Sequence, residues 1–297
     1  MTVLTKIDLP ATPPRGLVPS PAERQSRSTQ ISIVVPCYNE AERLDSAAFL
    51  RFLAETPEVS LVFVDDGSKD ATLEVLSTLH AVCPERIDVL RLKKNSGKAE
   101  AVRQGLLFAT TKRVRHVGYW DADLATPLDA IVDFARVANR FSDLEVIFGS
   151  RRVMLGHRIE RTVARRCISR ICATLARVAV RLPIGDTQCG AKMLRNTANL
   201  RRALAQPFTA GWLFDVELFT RISDGSSDRT RAFYEMPLAE WSEVAGSKVS
   251  GRAVVKSGLQ MLRLIAQSRL GGFPSPVQTA GDAELAFASL EPVYLTA

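Results

Sequence analysis

Two carboxylates one residue apart, Asp121 and Asp123, follow an apolar run that ends at Trp120. Like charges this close repel each other, and a hard divalent cation relieves that repulsion. Mg²⁺ usually takes one or two protein carboxylates and completes its shell with phosphate oxygens and water. The pair therefore suggests a site in which Mg²⁺ or Mn²⁺ holds a diphosphate.

Polar residues also follow three other apolar runs, as the segments 36–40, 65–68 and 95–98. An Asp just after a strand is often only a turn or capping residue, so Asp65 and Asp66 alone remain ambiguous. Gly97-Lys98 lacks the full glycine spacing of a P-loop. Together with the acidic pair, however, these segments supply carboxylates and a lysine that one site could combine.

The elements that must position these residues alternate along the chain. Apolar, β-branched runs predict strands at 31–35, 61–64, 87–90, 114–120 and 144–148. Helical patterns separate them at 41–54, 71–82 (with Asp70 as N-cap), 98–109 and 127–141. This alternation predicts an α/β fold, a mostly parallel sheet with helices on both faces. Such sheets bind ligands outside the carboxyl ends of their strands, so the four polar segments should meet at one edge.

Composition divides the 297 residues into four parts. Residues 1–29 are rich in Pro, Ser, Thr and Arg and predict a disordered tail. Residues 30–247 form one predicted domain, 248–270 a basic amphipathic helix, and 271–297 a flexible tail. The net charge of +7 favours an anionic partner.

Basic charge is concentrated between residues 151 and 182, which contain nine arginines and one glutamate. An apolar stripe predicts one long helix over 158–182. Such a helix fits an anionic membrane surface, or it packs on the sheet with its arginines in water. No apolar run is long enough to span a membrane, which predicts a cytoplasmic protein, peripheral at the inner face of the membrane. The arginines lack interleaved aromatics, so nucleic acid is not a predicted partner.

Eight segments, in order and spacing, resemble the inverting family 2 glycosyltransferases with the GT-A fold. Among these the chain is most similar to the dolichyl- and polyprenyl-phosphate glucosyltransferases, and less similar to the dolichol-phosphate mannosyltransferases. The segments are Val35–Glu40, Val64–Ser68, Asn95–Lys98, Asp121–Asp123, Gly149–Arg151, Asp186–Gly190, Phe214–Glu217 and Trp241–Lys248.

The resemblance implies a role for each matching position. By this resemblance the nucleotide-sugar pocket is lined by Pro36, Tyr38, Glu40, Asp65, Asp66, Lys98 and Asp121. The metal is coordinated by Asp121 and Asp123, and the catalytic residues are Asp123, Arg151, Gln188 and Asp215. The acceptor or its phosphate is bound by Arg152, Arg161, Glu217 and Lys248. One departure is Ala125, which stands where many polyprenyl-phosphate enzymes carry a metal-binding Gln, although the glucosyltransferase branch also has Ala there.

The implied reaction moves a sugar from a nucleotide sugar to polyprenyl phosphate with inversion. The resemblance favours UDP-glucose as donor, with GDP-mannose as the main rival. A phosphate monoester is largely dianionic at pH 7 and needs no general base. A soluble hydroxyl acceptor, the first alternative, would need one, and Asp215 is the candidate. The second alternative is a non-catalytic protein that binds membranes or nucleic acid through its arginines.

Overall fold

A computed structural model describes residues 30–152, 154–159, 173–174, 176–242, 260, 263, 265–266 and 290–292. The strands are β1 (Ile31–Cys37), β2 (Val59–Asp65), β3 (Ile87–Leu92), β4 (His116–Trp120), β5 (Val146–Ser150), β6 (Arg158–Ile159), β7 (Ala191–Arg195), β8 (Phe233–Pro237), β9 (Glu240–Trp241) and β10 (Leu290–Pro292). The helices are α1 (Ser46–Glu55), α2 (Thr72–Val82), α3 (Lys98–Thr111), α4 (Ala130–Arg140), α5 (Ala198–Leu204), α6 (Phe214–Gly225) and α7 (Arg229–Ala232). Residues 176–180 are also helical, and a 3₁₀ turn at Gly211–Leu213 precedes α6.

Eight strands form one sheet in the order β10-β3-β2-β1-β4-β7-β5-β8. Six of them run in the same direction, whereas β7 lies antiparallel between β4 and β5, and β10 lies antiparallel to β3. The predicted α/β fold with a mostly parallel sheet is thereby confirmed. All five predicted strands and four predicted helices are present, with shifted ends.

The strand order reverses at β1. The chain proceeds from β1 to β2 and β3 on one side, and then returns to place β4 on the other side of β1. This reversal opens a crevice between the carboxyl ends of β1 and β4, which is where open α/β sheets bind ligands.

The sheet is buried on both faces, as a continuous apolar run in β1 requires. Val34 packs into a core with α3, α5 and α6, while its neighbours Ile33 and Val35 pack into a second core with α1, α2 and α4. Side chains that alternate between two dry cores fix the strand register, because a slip of one residue would exchange the faces.

The structure describes only some of the residues that the remaining predictions concern. The helix predicted from residue 158 is wrong at its start, because Arg158 and Ile159 form β6 and pair with β9. In the segment predicted to be a flexible tail, residues 290–292 form β10. The tail at 1–29 and most of the helix predicted at 248–270 lie outside the described residues, and so do Arg161 and Lys248. Among the described residues, no helix has the length and apolarity needed to cross a membrane.

Candidate active site

Asp121 and Asp123 lie in the turn after β4, at the crevice between β1 and β4. The backbone N–H of Asp121 donates to the carbonyl oxygen of Gly190 at 3.1 Å. The Asp121 carboxylate forms an ion pair with Lys98. Asp123 Oδ1 accepts the backbone N–H of Ala125 at 3.1 Å. The structure thus brings the predicted acidic pair and the predicted lysine together at one point.

The electrostatics of this turn suit a divalent cation. Burial raises the pKa of Asp123, and the charge of Asp121 raises it further. Burial also raises the pKa of Glu40, and the charge of Asp123 adds to that shift. Within the described ranges no group of three or more His, Cys, Asp or Glu side chains is arranged to hold a metal. Mg²⁺ usually takes one or two protein carboxylates and completes its shell with phosphate oxygens and water, and the two carboxylates of this turn fit that pattern.

The loops after β1 and β2 are hydrogen-bonded to each other. The N–H of Asn39 donates to Ser68 Oγ at 3.0 Å, and the N–H of Glu40 donates to Thr72 Oγ1 at 2.8 Å. Asn39 adopts a φ of 53°, a left-handed conformation that Asn tolerates better than most residues. Its Oδ1 accepts the N–H of Lys69 at 3.0 Å. The two loops therefore form one wall of the crevice.

Three residues predicted to line the nucleotide pocket lie on this wall. Pro36 is half-buried at the end of β1, and the Tyr38 ring is exposed to solvent. The Glu40 carboxylate accepts from Arg43 at 2.6 and 3.0 Å. Tyr38 therefore has a free aromatic face, while Glu40 already has a cationic partner.

Asp65 and Asp66 differ in what they contact. Asp66 accepts the backbone N–H groups of Ser96 at 2.7 Å and Gly97 at 2.8 Å, one on each carboxylate oxygen. Asp65 Oδ1 accepts the N–H of Ser68 at 3.0 Å, whereas Oδ2 has no hydrogen-bond partner among the described residues. Asp66 thus anchors the loop before α3, while the buried Asp65 Oδ2 lies 3.8 Å from Arg91 Nε in an ion pair.

Two arginines follow β5. Arg151 forms a two-pronged ion pair with Asp186, with Nε–Oδ2 at 2.7 Å and Nη2–Oδ1 at 2.8 Å. Its guanidinium carbon lies 5.2 Å from the ring centroid of Trp241. Arg152 Nε lies 3.3 Å from Glu235 Oε1, and the Arg152 side chain is 54% exposed. Arg151 is thus held in place, while Arg152 reaches solvent at the edge of the sheet.

The remaining predicted residues lie at different depths. Gln188 Nε2 is buried without a hydrogen-bond partner in the described part of the chain, so this donor can bind a substrate oxygen. Asp215 is buried on α6, accepts from the Tyr119 hydroxyl and lies 2.9 Å from Lys192 Nζ.

Glu217 does not lie at the edge of the sheet. Its side chain is fully buried, and Oε2 accepts the backbone N–H groups of Thr209 and Ala210, both at 2.8 Å. Its Oε1 forms an ion pair with Arg221 at 2.5 Å. These contacts hold the Glu217 side chain within the core, and its place beside the acceptor stays a prediction.

Sequence reasoning missed Lys192 and Glu235. Glu235 on β8 accepts from Ser150 Oγ at 2.6 Å and from the Gly185 N–H at 2.7 Å, and so ties the loop before β7 to the end of β5. The only signal for Lys192 was its position in the short, mostly apolar segment 191–195. Burial lowers the pKa of Lys192 to about 7.

The crevice and its acidic pair define a class of protein, the GT-A glycosyltransferases that the sequence segments resemble. Residues 32–201 match the family described as Glycosyl transferase family 2, and the chain belongs to this family. The predicted family membership and glycosyltransferase activity are thereby confirmed.

Curated relatives match about three quarters of the chain. The chain is 32% identical over 250 residues to a dolichyl-phosphate beta-glucosyltransferase of Drosophila melanogaster, covering 77% of this chain and 72% of that one. It is 30% identical over 240 residues to the enzyme of the same name from Saccharomyces cerevisiae, covering 74% and 69%.

Solved structures share the fold. Glucosyl-3-phosphoglycerate synthase from Mycobacterium tuberculosis in complex with Mg²⁺ and UDP superposes with a TM-score of 0.58 at 16% identity, covering 82% of this chain and 83% of that one. Its complex with Mn²⁺, UDP and glucosyl-3-phosphoglycerate gives 0.56 at 17% identity, covering 87% and 86%. Both contain a divalent cation and UDP.

Proposed function

We propose that this glycosyltransferase moves glucose with inversion from UDP-glucose to a polyprenyl phosphate such as dolichyl phosphate. The observation that carries the proposal is the acidic pair Asp121 and Asp123 at the switch point of a domain shared with dolichyl-phosphate glucosyltransferases at 32% identity. The active site lies at the cytoplasmic face of a membrane, where the protein is peripheral. Mg²⁺ or Mn²⁺ is the proposed cofactor.

The residues around the crevice have proposed roles. Tyr38 and Asp65 bind the nucleoside, while Asp121 and Asp123 hold the cation. When bound, the cation neutralises charge that develops on the departing diphosphate. Lys98 adds a positive charge beside Asp121, and Gln188 offers its unpartnered amide to the sugar.

The surroundings of Asp215 favour a phosphate acceptor over a hydroxyl. A general base needs a free oxygen within reach of the proton that it removes. Asp215 is only 6% exposed, and its Oδ1 accepts from Tyr119 and lies 2.9 Å from Lys192, so the carboxylate is held in the core and out of reach of an acceptor hydroxyl. A phosphate dianion attacks without such a base, and Arg152 at the exposed edge is placed to bind it.

A donor and acceptor screen tests the proposal. Purified protein is incubated with UDP-glucose or GDP-mannose, each with a polyprenyl phosphate in detergent or with soluble sugars, with and without EDTA. The expected product is glucosyl-phosphoryl-polyprenol from UDP-glucose, and it is lost with EDTA and restored by Mg²⁺ or Mn²⁺. Turnover of soluble sugars without any lipid product would instead support the hydroxyl-acceptor alternative.

A further inference from the structure

Lys192 is a fully buried lysine in the middle of the sheet. In β7 it pairs with Tyr119 of β4 on one side and with Phe148 of β5 on the other. Its Nζ lies 4.9 Å from the Tyr119 ring centroid and 5.7 Å from that of Phe219 on α6. A lysine is rarely buried in such surroundings unless its ammonium group is fully partnered.

Two polar partners hold the ammonium group. Lys192 Nζ donates to the carbonyl oxygen of Cys189, and it lies 2.9 Å from Asp215 Oδ1. That carboxylate oxygen also accepts from the Tyr119 hydroxyl. The side chain therefore links α6 to the loop that precedes its own strand.

This loop lies directly against Asp121. The carbonyl oxygen of Gly190 accepts the Asp121 N–H at 3.1 Å. A methyl group added to Gly190 would overlap the Asp121 carboxylate, so glycine is required for this close approach. The position of the Asp121 carboxylate thus depends on where the backbone of Cys189 and Gly190 lies.

We infer that Lys192 is a positioning residue of the donor site, because it holds the Cys189 carbonyl and thereby sets Gly190 against Asp121. This inference rests on the proposed function, in which Asp121 helps to hold the cation and the diphosphate. Lys192 itself touches neither ligand. Residues that orient metal ligands typically change metal affinity about 10- to 100-fold when they are replaced.

The test measures binding without turnover. UDP is titrated calorimetrically into wild type and variants with saturating Mn²⁺ and, separately, with EDTA. The double variant Lys192→Met/Asp215→Asn removes both buried charges and so leaves no lone charge to unfold the protein. We expect it to bind UDP with Mn²⁺ about tenfold or more weakly, while metal-free UDP binding changes less than about twofold. Gly190→Ala should show the same metal-dependent loss with Lys192 intact.

Leu194→Ala is the matched control. Leu194 is fully buried on the same strand and the same face as Lys192, two residues farther from the site. It should lower the melting temperature but leave Mn²⁺-dependent UDP binding unchanged. Unchanged binding in the double variant, or an equal loss in Leu194→Ala, would overturn the inference. Wild-type protein that binds UDP with Mn²⁺ but glucosylates no lipid would contradict the proposed acceptor and leave the role of Lys192 standing.

Discussion

Asp121 and Asp123 have different partners although one residue separates them. Asp121 has Lys98 as an ionic partner and a backbone bond to Gly190. Asp123 has a backbone hydrogen bond, and burial followed by the charge of Asp121 raises its pKa. A cation therefore stabilises the ionised form of Asp123 in particular, and Asp123 should be the residue whose neutralisation affects the reaction most.

Asp123→Asn should lower kcat/KM at least about 100-fold, or roughly 3 kcal/mol of transition-state stabilisation. The amide oxygen can still accept the Ala125 N–H, so the turn and the melting temperature should be preserved. UDP release measures the rate. Asp129→Asn is the control, since Asp129 is exposed in the same loop and makes no side-chain capping bond. Near-normal activity of Asp123→Asn would refute its assignment to the metal.

Replacing Asp66 should lower the stability of the fold more than it lowers the rate of the reaction. Asp66→Ala leaves the N–H groups of Ser96 and Gly97 without their acceptor. Each lost hydrogen bond costs about 1–3 kcal/mol when the partner stays buried, and partial access to water places the expected sum near the lower end. Urea unfolding of Asp66→Ala measures the loss, with Asp129→Ala as control. A midpoint equal to that of the wild type would show that the loop before α3 does not depend on Asp66.

At the scale of elements, β4 carries a titratable group at the end remote from the acidic pair. His116 begins the strand between Ile31 of β1 and Arg195 of β7. Burial, followed by the charges of Arg195 and Arg115, lowers the pKa of His116 to about 4. The unfolded chain takes up this proton near pH 6.5, but the folded chain does not until about pH 4.

The stability contributed by neutral His116 is therefore complete above pH 6.5 and is lost as the pH falls toward 4. The whole loss is about 3.5 kcal/mol, because the pKa shift from 6.5 to about 4 corresponds to about 1.4 kcal/mol per unit. Urea unfolding at pH 7.5 and pH 5 measures about 2 kcal/mol of it. His116→Gln cannot titrate, so its free energy of unfolding should fall less between these values. Equal slopes for wild type and His116→Gln would contradict the shifted pKa.

The sequence predicted the elements whose signal is local. Residues 31–35 are apolar and β-branched except for Ser32, and they belong to a strand buried on both faces. The start of the helix predicted at 158 was wrong because pairing of β6 with β9, about 80 residues later in the chain, overrides the local helical pattern. The acidic pair was predictable because only one residue separates Asp121 from Asp123 in the sequence. The partners of Lys192 were not, since Tyr119 and Asp215 lie in distant segments.

At the scale of the whole molecule, the direction of each strand determines at which edge of the sheet the charged residues after it lie. The carboxyl ends of β1, β2, β4 and β5 place the site at one edge, where Arg152 after β5 and Arg158 of β6 are exposed. β7 runs the opposite way, so the exposed arginines 201 and 202 of α5 follow it at the other edge. The protein thus carries matched pairs of arginines at opposite edges.

If the site faces a membrane, only one of these pairs should contribute to binding. Arg152→Gln/Arg158→Gln should weaken binding to phosphatidylserine vesicles about 30-fold, since each basic residue near an anionic surface contributes about 1 kcal/mol. Arg201→Gln/Arg202→Gln removes the same charge from the opposite edge and should have little effect. Sedimentation with vesicles at low and high salt measures both, because salt screens the attraction. Equal losses for the two double variants would mean that the net charge of +7, and not the face bearing the active site, governs the attraction.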